Sequence, residues 1–233
     1  MRGLFVTGTD TGVGKTCVAA GLLRVFVRAG LRTVGMKPVA SGALQTPDGL
    51  RNEDALALQA AANLPRPYEQ VNPYCFAPPI APHLAAAETG VSIELPRILT
   101  AFNQLCAGAD VVVVEGVGGW QVPMADDFGV PGLACALGLP VILVVGLRLG
   151  CLNHALLSAR AIRDDGQILA GWVANGIDPK FERREGNLAT LKRAIRAPLL
   201  GEIPWRPELA ADEVAASLDA RKIIALSNGN NAE

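Results

Sequence analysis

At 233 residues the chain can bury roughly 70–75% of the surface its unfolded form would expose, which fits one large domain over residues 1–226. Half of the residues are hydrophobic, 25 are glycine and the net charge is −1, so no basic field invites nucleic acid or an anionic membrane. No apolar run reaches the roughly 18 residues of a membrane span, and the five cysteines (Cys17, Cys75, Cys106, Cys135, Cys151) lack CxxC spacing, which argues against a thiolate metal site or a disulfide framework and for a reducing cytoplasm.

The first predicted strand, Gly3 to Gly8, begins too soon to leave room for a signal peptide. It runs into Gly8-Thr9-Asp10-Thr11-Gly12-Val13-Gly14-Lys15-Thr16, and the residues from Lys15 to Ala29 suit a helix. A strand, a glycine-rich turn and Gly-Lys-Thr opening a helix form the context of a phosphate-binding loop. Backbone N–H groups face the phosphates, Gly14 has no side chain to block them, and the helix N-terminus favours the anion. Lys15 neutralises the β- and γ-phosphates, and the Thr16 hydroxyl can coordinate Mg²⁺. Thr9 stands where the usual spacing puts the first glycine, with Gly8 one residue further out.

The second strand, Thr33 to Pro38, ends in Lys37-Pro38-Val39-Ala40-Ser41-Gly42. Lys37 there is either a solvated surface lysine or, with Ser41 close behind, the holder of a second anion near the phosphates. Asp54 opens a helix over Asn52–Ala62, where an acid suits the dipole as well as a metal. Leu64 to Pro82 carries Pro65, Pro67, Pro73, Pro78 and Pro79 and reads as an ordered excursion. A helix over Leu95–Cys106 feeds a strand Val111–Glu115 whose four valines end at Glu115 before Gly-Val-Gly-Gly, where Glu115 is either a Walker B carboxylate that holds Mg²⁺, the reading the glycines favour, or a carboxylate simply exposed at the strand end. A helix over Ala134–Leu137 precedes the strand Val141–Gly146. Gly150-Cys151-Leu152-Asn153 then presents free N–H groups to a carboxylate, or Asn153 simply caps a helix over His154–Asp164. Asn175 ends the strand Ala170–Asn175 and either reads an adenine edge or turns the chain beside Gly176. A helix over Arg184–Ile195 and a short strand Pro198–Ile203 follow, and Ser227–Glu233 is expected to fray. His83 and His154 read as structural. Alternating helices and continuous apolar strands predict a doubly wound α/β fold of the P-loop NTPase kind, a mostly parallel sheet with helices on both faces and ligands at the carboxyl ends of its strands.

Taken in order, these segments resemble the dethiobiotin synthetase family over nearly the whole length. The resemblance is carried by Thr7-Gly8-Thr9-Asp10-Thr11-x-Val13-Gly14-Lys15-Thr16, Lys37-Pro38-Val39-Ala40-Ser41-Gly42, Asn52-x-Asp54-Ala55, Val71-Asn72-Pro73-Tyr74 and Ala81-Pro82-His83. It continues in Val114-Glu115-Gly116-x-Gly118-Gly119-Trp120, Leu149-Gly150-Cys151-Leu152-Asn153-His154, Gly171-Trp172-Val173-Ala174-Asn175 and Gly201-Glu202-Ile203-Pro204-Trp205. The family's loop also has the spacing that puts Thr9 where it stands.

The resemblance implies an ATP- and Mg²⁺-dependent carboxylation of 7,8-diaminononanoate with CO₂ or bicarbonate. One amine is carbamated, the carbamate takes the γ-phosphoryl group, and the second amine closes a cyclic urea. It implies catalytic roles for Lys37, Lys15 and Thr11, and metal coordination by Thr16, Asp54 and Glu115. It places Gly12, Val13, Gly14, Lys15, Thr16, Cys17, Asp54, Glu115, Gly118, Asn175, Gly176 and Pro204 around ATP. Thr11, Lys37, Ser41, Gly118, Gly150, Cys151 and Asn153 are implied around the substrate, in a homodimer whose interface carries the site. Gly12 stands where some relatives have glutamate, and Gly132 where relatives have aspartate. The rivals are a cobyrinate-type amide synthetase, for whose ammonia source the chain has no apparent room, and a partitioning-type switch ATPase, which usually carries a further lysine near Thr9-Asp10-Thr11.

Overall fold

Apolar residues alternate sides along the central strands, and that alternation builds the layers. The computed structural model describes residues 2–227. In chain order, β1 (Arg2–Gly8) leads into α1 (Lys15–Arg28), then β2 (Thr33–Met36), β3 (Val39–Ala40), the hairpin of β4 (Leu44–Thr46) and β5 (Gly49–Arg51), α2 (Glu53–Ala61), α3 (Tyr68–Val71), β6 (Tyr74–Cys75) and α4 (Pro82–Thr89). There follow α5 (Leu95–Cys106), β7 (Val111–Gly119), α6 (Val130–Leu137), β8 (Val141–Leu147), α7 (Cys151–Asp164), β9 (Leu169–Gly176), α8 (Arg184–Ala194), β10 (Leu199–Ile203), α9 (Ala211–Ala216) and α10 (Ala220–Ser227). Six strands form a parallel sheet in the order β10-β9-β8-β1-β7-β2. Winding reverses around β1, and the crevice at such a reversal is where α/β sheets bind ligands.

Leu4, Val6, Val111, Val113, Ile142 and Val144 point to one face, where Val18, Leu22 and Phe26 of α1 join Leu58, Val214 and Ile223. Phe5, Val112, Val114, Leu143 and Val145 point to the other, against Ile98 and Phe102 of α5, Leu133 of α6, Ala155 and Ile162 of α7, and Leu191 of α8. Each fully buried aliphatic side chain contributes about 1.5–3 kcal/mol. Glycine lets the layers approach: a Cβ on Gly21 in α1 would lie 2.4 Å from Val214 Cγ1 of α9.

Several boundaries differ from the sequence reading. The strand expected to stop at Glu115 continues to Gly119, with Gly8 paired to Gly119 after a register shift between Val6 and Gly8. Its glycines bend the strand beside the loop without ending it. β2 stops at Met36, short of the expected Pro38, because the Lys37 N–H donates to the Val71 carbonyl at 2.8 Å and proline has no N–H. α6 begins at Val130 rather than Ala134, with Pro131 in its first turn and left-handed Gly138 at its end. α7 begins at Cys151; Gly150 at φ 94° is its N-cap, so Asn153 lies inside the first turn and does not cap. The proline-rich excursion is ordered, holding α3, β6 and the approach to α4, with β3 and β6 paired in parallel. Ser227 ends α10; the rest of the tail expected to fray, residues 228–233, lies outside the described residues.

Candidate active site

β1 delivers residues 8–16 to the carboxyl edge of the sheet, where the loop turns on the left-handed glycines Gly12 (φ 73°) and Gly14 (φ 87°). Asp10 anchors the turn: its Oδ1 accepts from the Thr11 N–H at 2.7 Å and its Oδ2 pairs with Arg148 at the end of β8. Lys15 Nζ donates to the Asp10 carbonyl at 2.9 Å, and burial, reinforced by the charge of Lys37, lowers the pKa of Lys15 to about 8. An arriving polyphosphate restores the preference for its charged form.

Strand phase brings the remaining charges together. Val111 and Val113 face α1, so Glu115, two residues further along β7, reaches the first turn of that helix, where it accepts from Thr16 Oγ1 at 2.9 Å. Lys37, one residue past the end of β2, is 3% exposed. The surface-lysine alternative is therefore set aside. Its Nζ lies 2.5 Å from Glu115 Oε1, 2.8 Å from Asp54 Oδ2 and 3.2 Å from the Gly116 carbonyl. Burial opposes the charge of Lys37, but Glu115 and Asp54 outweigh it and hold the ammonium above the ordinary lysine range. Burial likewise opposes ionisation of Asp54, yet Lys37 and the Thr16 hydroxyl keep it below the usual carboxylate range. Burial pushes Glu115 up, against the pull of Lys37.

Thr16 Oγ1, Asp54 and Glu115 form a set of hard oxygen donors at the start of α1. Glu115 Oε2 is buried and has no hydrogen-bond partner among the described residues. An orphaned carboxylate oxygen beside a hydroxyl and a second carboxylate fits a small divalent cation that keeps other positions for water and phosphate oxygens.

A cavity of about 640 Å³ gathers Thr11, Gly12, Gly14, Lys15, Thr16, Lys37, Ser41, Asp54, Glu115 and Gly118. Apolar groups complete its lining: Pro79, Ile80, Ala81, Pro82, Val117 and Val122. Sequence reasoning missed these groups, although the prolines and Pro82 at the start of α4 were a visible sign of a rigid segment. Cys17 does not line the cavity; it lies in an adjoining hollow with Thr16, Arg24 and Leu209. Val13 is buried beneath the loop. Asn175, Gly176 and Pro204 meet on the flank of Gly14: Asn175 pairs with Ile203, and a Cβ on Gly176 would lie 2.6 Å from the Trp205 nitrogen and 3.2 Å from the Pro204 carbonyl carbon. Gly150, Cys151 and Asn153 do not line the cavity; they begin α7 beside Leu149, which is 90% exposed.

Asn175 has a structural task that the sequence did not disclose. Its Nδ2 donates to the Val13 carbonyl at 2.8 Å, and a Cβ on Gly14 would lie 2.1 Å from that same nitrogen. Gly14→Ala is therefore expected to displace Asn175 as well as to strain a left-handed position, lowering nucleotide affinity by about tenfold or more. Adding Asn175→Ala removes the clash, so calorimetric titration of the double variant with ATP should show a loss smaller than the sum of the single losses.

An AAA domain family model matches residues 2–213. An ATP-dependent dethiobiotin synthetase BioD from Pseudomonas aeruginosa is 55% identical over 96% of this chain and 98% of its own length. That of Xanthomonas axonopodis pv. citri is 55% identical over 87% and 91%. Among solved structures, the MinC:MinD cell division protein complex of Aquifex aeolicus superposes with a TM-score of 0.55 at 15% identity, covering 100% of this chain and 97% of that one. A ParA family ATPase from Chlorobium tepidum gives 0.54 at 13%, over 97% and 95%. At such identities the likeness is one of fold, a mostly parallel sheet with flanking helices built on a phosphate-binding loop.

Proposed function

The chain belongs to the ATP-dependent dethiobiotin synthetases, ligases that form C–N bonds, and from that premise we propose that Lys37 holds the substrate carbamate while Lys15 holds the ATP phosphates it attacks. The substrate is 7,8-diaminononanoate. One amine adds to CO₂ and loses a proton, giving a carbamate. A carbamate oxygen attacks the γ-phosphorus, ADP leaves, and the second amine then attacks the carbonyl of the mixed anhydride, expelling phosphate and closing the ureido ring.

The observation that carries this reading is the position of Lys37, a buried ammonium held by two carboxylates at the wall of the cavity that also holds Lys15. Two anions must meet in the phosphoryl-transfer step, and catalysis of such a step is mainly positioning and charge stabilisation. Magnesium, held by Thr16, Asp54 and Glu115, would supply further neutralisation of phosphate charge. Thr11, Ser41 and Gly118 lie on the wall where the carbamate and amines are seated in this proposal, and the apolar lining of Pro79 to Pro82, Val117 and Val122 suits an alkyl chain. Asn175, Gly176 and Pro204 are proposed to seat the adenine, with Gly12 to Cys17 around the phosphates.

We further propose a homodimer, in which Gly150, Cys151 and Asn153 of one subunit reach the substrate of the other. Exposed Leu149 beside left-handed Gly150 supports this. Cytoplasmic residence is proposed from the five cysteines, all free thiols. Among the described residues no helix is long and apolar enough to cross a membrane.

Mass spectrometry after mixing protein, ATP, Mg²⁺, bicarbonate and diaminononanoate tests the reading. The expected product is heavier than the diamine by CO less two hydrogens, with ADP formed in step. ATP hydrolysis that ignores the diamine and yields no such product would overturn it and favour a nucleotide switch.

A further inference from the structure

Three buried polar side chains outside the cavity tie together the backbones of three residues on its wall. Asn72, 3% exposed, donates from Nδ2 to the Lys37 carbonyl at 2.6 Å and to the Tyr74 carbonyl at 2.9 Å. Its Oδ1 accepts from the Tyr68 hydroxyl at 3.0 Å. That hydroxyl in turn accepts the Asn52 N–H at 2.8 Å. Asn52, 6% exposed, caps α2 by accepting from the Asp54 N–H at 3.1 Å, and its Nδ2 donates to the Ser41 carbonyl at 3.3 Å. Arg51 lies over the Tyr68 ring at 4.2 Å and closes that side.

We propose that Asn72, Tyr68 and Asn52 are positioning residues that fix Lys37, Asp54 and Ser41 relative to one another. The inference deepens the proposed function and rests on the assignment of Lys37 there. Lys37 follows β2, Ser41 follows β3 and Asp54 lies at the start of α2, so their spacing depends on how these pieces are joined. The path from the Lys37 carbonyl through Asn72, the Tyr68 oxygen and Asn52 to the Asp54 amide is one such join. Asn72 spends both amide hydrogens and its oxygen, and Asn52 uses both the nitrogen and the oxygen of its side chain. Removing the Tyr68 oxygen leaves the Asn72 oxygen and the Asn52 N–H unpaired in a buried place, and the way to satisfy them is to shift. A shift of about 1 Å in a catalytic charge is enough to lose on the order of a hundredfold in rate.

The test compares Tyr68→Phe with a control at the other end of β2. There Asn63 accepts the Thr33 N–H at 2.8 Å and donates to the Leu31 carbonyl at 2.9 Å, far along the strand from Lys37. Tyr68→Phe is expected to lower kcat about 10- to 100-fold with ADP affinity within about twofold. Asn63→Ala is expected to lower Tm without moving kcat by more than about twofold. If Tyr68→Phe does not fold, Asn52→Ser keeps a cap on α2 but drops the link to Ser41, and it should raise KM for the diamine. Folded Tyr68→Phe or Asn52→Ser with wild-type kcat and KM, or a kcat loss in Asn63→Ala equal to that in Tyr68→Phe, overturns the inference. Lys37→Ala, assayed in the same series, separates the two readings: wild-type turnover there defeats the Lys37 assignment itself, whereas an inactive Lys37→Ala beside a fully active Tyr68→Phe defeats only the positioning role.

Discussion

Lys37→Ala is expected to abolish nearly all turnover while leaving nucleotide binding almost intact. The expected loss in kcat is about 10²–10³-fold, the scale of removing one preorganised charge from the reacting oxygens. ATP affinity should stay within about threefold, because in the proposed arrangement the loop N–H groups and Lys15 hold the phosphates without Lys37. The substitution also leaves Asp54 and Glu115 without their shared cation. Breaking a buried pair costs about 3–5 kcal/mol in general. Part of that cost is relieved here, since the Asp54 side chain is 40% exposed to water. Isothermal titration with ADP and single-turnover product formation decide the matter. Wild-type turnover would remove Lys37 from the chemistry.

Glu115→Gln is the second large effect, and its logic is different. The amide keeps the size of the carboxylate, and its oxygen can still accept from Thr16 and Lys37, so the fold should survive. What disappears is the negative charge and with it an oxygen suited to a hard cation. Activity is expected to fall by about two orders of magnitude or more, and half-saturation in Mg²⁺ to move upward by about tenfold. Titrating Mg²⁺ at fixed ATP distinguishes a metal ligand from a residue that only holds Lys37. An unchanged titration with reduced kcat would assign Glu115 to Lys37 alone.

The parts of the site that could be read from the sequence were those whose chemistry is local. The loop from Gly8 to Thr16 declares itself in one stretch, because the helix start, the glycines and the lysine must be contiguous to bind phosphate. The strands were legible because a sheet buried on both faces needs continuous apolar runs such as Val111 to Val114. What stayed hidden depends on neighbours distant in the chain. Asp54 on its own was as good a dipole-matching acid as a metal ligand; only the 2.8 Å contact with Lys37 places it at the cavity. Asn175 looked like a turn residue or an adenine reader, and its bond to Val13 crosses 162 positions. Tyr68 stands in no motif, and Asn72 stands in Val71-Asn72-Pro73-Tyr74 without a reactive group to suggest a role, so neither showed its task until their hydrogen bonds were visible. The extension of β7 past Glu115 was missed because glycine ordinarily weakens a strand, and pairing with Gly8 overrode that tendency.

Because Glu115 reaches the first turn of α1 through the alternating phase of β7, the reading frame of that strand is also a constraint on how the protein can evolve. One residue inserted between Val111 and Glu115 would turn the carboxylate toward α5 and set valines against the wrong helices. Two would restore the face but carry the group about 6.6 Å along the sheet, past Thr16 and Lys37. Length variation in descendants of this chain should therefore accumulate elsewhere, as in the β4–β5 hairpin around Asp48, where turn residues are exposed and no site residue is counted off by strand phase. Within β7, change is confined to substitution.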